Sequence, residues 1–214
     1  MCVETGGASQ TEGFLGRRAG VADVASPLCL GGAGHGDHAG FAVGPGTVVL
    51  PGERFSVNDT VGQRTTDKGF VEAGAIANGE HVDEVGGGVS QFATTMFNAA
   101  FFAGLQIDVY QAHSEHFDRY PYGREATMGF PNPDLAWTNN TPYGILIQTS
   151  HTDTSVTITL WSTQYAYGEQ TGQTTGKSGT CTTVSTTRTI HYPDGKTGTD
   201  TFQARYRQSG STTC

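Results

Sequence analysis

Ser90 stands where a hydroxyl could become a nucleophile. It follows Gly86-Gly87-Gly88-Val89 and opens a run, Ser90 to Leu105, with no charged residue. Glycines ahead of a helix let a loop fold tightly and let a substrate approach the backbone. A group on the first helical turn feels the positive end of the helix and its free N–H groups, which favour an anion there. In an acyl-transfer reading Ser90 attacks a carbonyl carbon, while the N–H of Gln91 or a neighbour steadies the oxyanion. His113, at the end of the strand that follows, takes and returns the proton. Asp134 and Asn139 are the candidates to orient its ring. Gly87, Gly88, Ser114 and Tyr120 border the same site, and Arg119 or Arg124 would hold a substrate carboxylate. Each residue also has a structural reading. Ser90 suits a helix N-cap, His113 alone suits a structural role, and the arginines suit pairing with Asp118 and Glu125.

These residues need a helix, a strand and a loop to position them. Phe92, Met96, Ala99 and Ala103 recur at helical spacing, and Phe97, Ala100 and Phe101 fill another face. Apolar residues on most faces predict a helix over about 90–105 that is buried inside the domain. Ile107 to Ala112 alternates as a strand and delivers His113. Thr47–Leu50, Ala126–Phe130, Leu135–Thr138, Tyr143–Gln148 and Ser155–Trp161 read as further strands. Asn78-Gly79 reads as the turn of a hairpin between Gly74–Ile76 and His81–Asp83. The expected fold class is α+β: an antiparallel β-meander packed around one buried central helix, with a small β-rich C-terminal appendage. The expected division is a Gly-rich unassigned segment over 1–46, the main domain over 47–163, a polar linker over 164–180 and the appendage over 181–214.

Composition narrows the function. The 214 residues carry a net charge of -8, which argues against sequence-independent nucleic-acid binding. No apolar run is long enough for a transmembrane helix, and Met1 to Gly20 lacks the pattern of a signal peptide. Cys181 and Cys214 bracket the C-terminal segment, which suggests a disulfide staple and an oxidising compartment. His35 and His38 sit in a Gly-rich loop, and no Cys/His spacing suits a metal, so neither metal nor other cofactor is expected. The oligomeric state is left open.

The run Leu50-Pro-Gly-Glu-Arg-Phe-Ser-Val-Asn-Asp-Thr-Val-Gly-Gln-Arg-Thr65 resembles the VanW family. So do Gly69-Phe70, Ala73–Ile76, Gly86–Gln91 with Thr94-Thr95 and Asn98-Ala99, His113-Ser114, Tyr120, Gly123–Thr127 and Asp134-Leu135. The resemblance covers about residues 47–162, and the tail from Cys181 to Cys214 is similar to a short extension of actinobacterial members. It implies an extracytoplasmic protein of the cell envelope, associated with vancomycin-resistance clusters and acting on peptidoglycan stem peptides. Some members look like L,D-transpeptidases that use a Cys in a Gly-Gly-Gly-x-Cys-Gln motif, and by position that Cys falls on Ser90. A serine hydroxyl is scarcely ionised near neutral pH. The resemblance therefore implies either a transpeptidase-like acyl transferase with Ser90 as nucleophile, or a non-catalytic peptidoglycan-binding or scaffold module.

Overall fold

The computed structural model describes residues 46–77, 80–152, 155–208 and 211. The readings of His35, His38 and the N-terminal segment, of the Asn78-Gly79 turn and of Cys214 fall outside those residues. In chain order the elements are β1 (Thr47–Val49), β2 (Arg54–Ser56), helix α1 (Val57–Val61), a 3-10 turn (Thr66–Lys68), β3 (Glu72–Ala77) and β4 (Glu80–Val85). Helix α2 (Val89–Phe102) follows, then β5 (Gln106–Val109), β6 (Ala136–Thr138), β7 (Ile145–Thr152) and β8 (Ser155–Trp161). The chain continues through β9 (Tyr167–Ser178), β10 (Cys181–His191) and β11 (Thr197–Tyr206).

The class is α+β, but the strands make four antiparallel sheets rather than one meander. Their orders are β1-β7-β8, β2-β6-β5, β3-β4 and β11-β10-β9. Two of these sheets pair strands far apart in sequence. Val49 faces Ile145 across β1 and β7, and Phe55 faces Trp137 across β2 and β6. Alternation along β8 explains its seat: Val156, Ile158 and Leu160 are buried while the residues between them are partly exposed.

Eleven of the fourteen residues of α2 are buried, among them Phe92, Met96, Phe97 and Phe101 at 0% exposure. Its moderate helix formers gain little from propensity, so packing stabilises it. Phe97 stacks on Tyr110 at 4.5 Å between ring centroids and meets Phe202 edge-on at 5.2 Å.

The linker expected over 164–180 is corrected: most of it is the strand β9, paired with β10 from Tyr167 to Ser178. β9 is an edge strand and largely solvent-exposed, so it carries Gln, Thr and Gly where a buried strand would alternate. Gly168 is needed there, since a Cβ would run into the carbonyl oxygen of Phe101. The C-terminal sheet packs against the region before it. Phe202 of β11 belongs to the same core as α2. Arg188 of β10, fully buried, donates to the carbonyls of Phe101 (3.0 Å) and Leu105 (2.9 Å) and, at 3.4 Å, Ala100. Ala100 and Phe101 lie in the last turn of α2, where their carbonyls also accept from the N–H groups of Leu105 (3.1 Å) and Gly104 (3.3 Å). Arg188 also pairs with Asp200 of β11. Cys181 is fully buried and disulfide-bonded.

Candidate functional site

The glycine loop is fixed by local crowding. Gly86 and Gly88 adopt φ of 86° and 81°, the left-handed region. A Cβ on Gly87 would collide with the backbone carbonyl of Ala73 on β3, and one on Gly86 would collide with the Arg64 side chain. The three glycines therefore let the chain pass between β3 and Arg64 before it turns into α2. Gly88, not Ser90, occupies the N-cap of that helix, and it makes no side-chain capping bond.

Ser90 lies in the first turn, partly buried, and its Oγ accepts from the N–H of Met128 at 3.2 Å. This bond is the first rung of a ladder. Thr94, one turn on, accepts from the N–H of Ala126 (3.0 Å) and donates to the carbonyl of the same residue (3.2 Å). Asn98, another turn on, donates to the carbonyl of Arg124 (2.9 Å) and accepts from its guanidinium (2.6 Å). The spacing has a simple origin. Four helical residues rise about 6 Å, and two residues of extended chain span nearly the same distance. Polar residues at 90, 94 and 98 on an otherwise apolar helix thus satisfy every second residue of 124–128, a segment without a strand ladder of its own. On its other side, the N–H of Thr127 donates to the carbonyl of Gln111 at 2.8 Å.

His113 is 7% exposed, and its Nδ1 lies 3.1 Å from Oε2 of the fully buried Glu125. Its ring stacks on Tyr120 (5.2 Å) and meets Phe117 edge-on (5.4 Å). Arg119 is exposed and lies over the rings of Phe117 and Tyr120. Oε1 of Glu125 has no hydrogen-bond partner among the described residues, and neither does the hydroxyl of Tyr110. Tyr206 from β11 accepts from the N–H of Gly123 at 2.9 Å. Burial, and then the Glu125 carboxylate, push the phenols of Tyr110 and Tyr206 well above the ordinary tyrosine value. Burial likewise raises Tyr120.

The orienting partner of His113 is therefore Glu125 and neither Asp134 nor Asn139. Asp134 accepts from Ser56 Oγ (2.6 Å) and from the N–H groups of Asn58 (2.9 Å) and Leu135 (2.8 Å). Asn58 in turn donates to the carbonyls of Gly129, Pro131 and Pro133, and Arg64 donates to Asn58 Oδ1 (2.7 Å) and to the carbonyl of Gly129. Burial lowers the Arg64 pKa, and the nearby Asp134 opposes that shift. Ser56, Asn58, Arg64 and Asp134 thus clamp the 129–133 loop. Asn139 is buried and ties the carbonyls of Val49 and Tyr143 together. Nothing in the sequence singles out Glu125, because its partner is twelve residues away across an irregular loop.

Ser90 and His113 hold partners three residues apart along the 124–128 segment, on the order of 10 Å for an extended chain. Gln91 makes a turn to Gly88 (3.0 Å) and accepts from Thr95 Oγ1 (2.9 Å) through its carbonyl. Ser114 is exposed, and its carbonyl accepts from the N–H of Arg207 at 2.8 Å. Arg124 belongs to the ladder and lies over the rings of Phe101 and Phe102, so it braces α2. Among the described residues no group of three or more His, Cys, Asp or Glu is arranged to hold a metal, and no helix is long and apolar enough to cross a membrane.

The Bacillus subtilis (strain 168) protein YoaR is 42% identical over 115 residues, which are 54% of this chain and 38% of that protein. The chain therefore spans well under half the length of that relative. No solved structure matches. Residues 43–161, more than half of the 214, match the family described as VanW like protein, which carries a cell-envelope association. The segment that holds the glycine loop, the ladder and the His113–Glu125 pair is the segment matched, and the chain belongs to the VanW family.

Proposed function

We propose that this chain is an extracytoplasmic envelope module that binds peptidoglycan stem peptides, with Ser90 acting as a structural hydroxyl. Membership of the VanW family supports the envelope reading, and the Ser90–Met128 hydrogen bond with the ladder it begins carries the structural role of Ser90. A nucleophilic serine needs its base within hydrogen-bond reach. Here the partners that hold Ser90 Oγ and His113 Nδ1, Met128 and Glu125, stand three residues apart along the segment, on the order of 10 Å for an extended chain.

The test is a pair of measurements on the full chain. Pull-down on purified sacculi should retain wild type and Ser90→Ala alike. Muropeptide analysis and intact-protein mass should show no new cross-link and no acyl-enzyme. A new cross-link or acyl adduct that disappears in Ser90→Ala would overturn the binding-only reading.

One observation favours a second reading, transpeptidase-like acyl transfer. His113 and a buried carboxylate form the base-and-orienter half of a catalytic set. On that reading the 124–128 segment moves to let Ser90 meet His113, and Ser90→Cys makes product faster than wild type because a thiol ionises more readily.

A further inference from the structure

A groove lies where the C-terminal sheet meets β5 and the residues after β6. It has a volume of about 520 Å3, within the range of small-molecule sites. Its lining comes from two sources. Ile107 and Asn140 lie in the family-matched region, whereas Tyr192, Thr201, Asp200 and Phe202 lie beyond it. The groove thus exists only because this chain joins the two parts.

The polar groups of the lining are partly engaged in an informative way. Asn140 uses its Oδ1 to accept from the N–H of Gln106 at 3.2 Å, and its Nδ2 has no partner among the described residues. Asp200 gives its Oδ2 to the buried guanidinium of Arg188, and its Oδ1 has no partner among the described residues. The lining therefore offers one spare amide donor and one spare carboxylate acceptor. Arg188 balances the charge of Asp200, so the groove selects neither for cations nor for anions. Ile107, Phe202 and the ring of Tyr192 supply apolar surface.

We propose that this groove binds a neutral, hydroxyl-rich sugar ring. One sugar hydroxyl donates to Asp200 Oδ1, a neighbouring hydroxyl accepts from Asn140 Nδ2, and the apolar face of the ring lies against Tyr192. A purely apolar ligand would leave both polar groups dehydrated and unpaired, which is costly. An ammonium ligand would meet a carboxylate already neutralised by Arg188. The site is separate from the Ser90 and His113 region and goes beyond the stem-peptide reading.

The probes are neutral tetrasaccharides of glucose and of N-acetylglucosamine, titrated into the full chain and followed by amide chemical shifts. Wild type should bind at least one of them with a Kd of about 1 mM, and the perturbed amides should map to β5, β10, β11 and Asn140. Tyr192→Ala and Asn140→Ala, both at the surface of the groove, should each weaken binding about tenfold. Ser90→Ala should bind the sugar as wild type does, so failure of the stem-peptide reading leaves this result standing. No saturable shift up to roughly 10 mM with either sugar would overturn the proposal. So would shifts mapping elsewhere, wild-type binding by both groove variants, or tighter binding of the diamine cadaverine than of either sugar.

Discussion

Replacing Arg188 by Met tests whether the C-terminal sheet and the VanW region fold as one unit. The guanidinium is fully buried, takes the carbonyls of Ala100, Phe101 and Leu105, and pairs with Asp200. Burial pulls its pKa down, while the hydrogen bond and charge of Asp200 push it back up. Met has a similar length and fills most of the space, so little cavity is created. What is lost is the donor to the Leu105 carbonyl and a second donor to the carbonyls of Ala100 and Phe101, which keep the N–H groups of Leu105 and Gly104. The Leu105 carbonyl left unpaired costs about 1–3 kcal/mol, and the second bonds to Ala100 and Phe101 add about 0.5 kcal/mol each, which together is about 3 kcal/mol. The guanidinium also lies over the rings of Phe101 and Phe202, both at 5.3 Å, which adds about 1 kcal/mol. The expected loss is about 4 kcal/mol, or a fall in Tm of roughly 10 °C for a chain of this size. Urea unfolding followed by tryptophan fluorescence should still show one transition, because Trp137 and Trp161 report the family region while the mutation sits in β10. Amide exchange should accelerate for residues 99–105 and for β9 and β10 together. A loss below about 1 kcal/mol would refute the reasoning, because it would mean that the Leu105 carbonyl is satisfied without Arg188. Two separate transitions in wild type would refute the single-unit reading from the other side.

The remaining predictions concern the ladder, the loop, the buried phenols and the disulfide. Asn98→Ala should cost about 3 kcal/mol, since it removes three side-chain hydrogen bonds, to the carbonyls of Thr94 and Arg124 and from the Arg124 guanidinium, and chemical denaturation measures it. Gly87→Ala should cost more than Asn98→Ala, as its Cβ collides with the backbone of Ala73 rather than with a movable side chain; wild-type stability would contradict the packing. Tyr110 and Tyr206 have folded pKa values raised above the unfolded value of about 10. Their contribution is therefore intact below about pH 10 and falls as pH rises beyond it, so their phenolate absorbance should appear only together with unfolding. Tyr206→Phe should flatten that alkaline slope. Non-reducing peptide mapping should pair Cys181 with Cys214, and a Cys2 or Cys29 partner would contradict the staple.

Much of the local structure was legible because it follows hydrophobic period. β8 runs over the same residues that alternate in the sequence, and the apolar faces of 92–103 specify the helix. β9 was not legible, because an edge strand needs no apolar face and its Gln, Thr and Gly residues read as a linker. Ala126–Phe130 read as a strand but forms none, and Ala126 and Met128 take their hydrogen bonds from the side chains of Thr94 and Ser90. That relation is visible in the sequence only as three polar residues at four-residue spacing on an apolar helix. The long pairings also escaped. Nothing local tells Asn58 that it will hold three carbonyls of a loop more than seventy residues away.

The ladder changes what a serine at position 90 means. Read by resemblance alone, Ser90 is a nucleophile weakened by exchange of sulfur for oxygen. Read from its contacts, it is the rung that holds Met128. A hydroxyl oxygen accepts well from a backbone N–H, whereas a thiol is a weak acceptor. Ser therefore gains at position 90 the interaction that Cys would make poorly, and forfeits the thiolate that acyl transfer would use. Comparing Ser90→Cys with Ser90→Ala separates the two demands. If the rung is what matters, Cys should recover little of the roughly 1 kcal/mol that Ala loses, because neither side chain accepts the Met128 N–H well. If chemistry is what matters, Cys should match or exceed wild type in cross-link formation while Ala abolishes it. Greater stability in Ser90→Cys than in wild type would sink the hydrogen-bond argument outright.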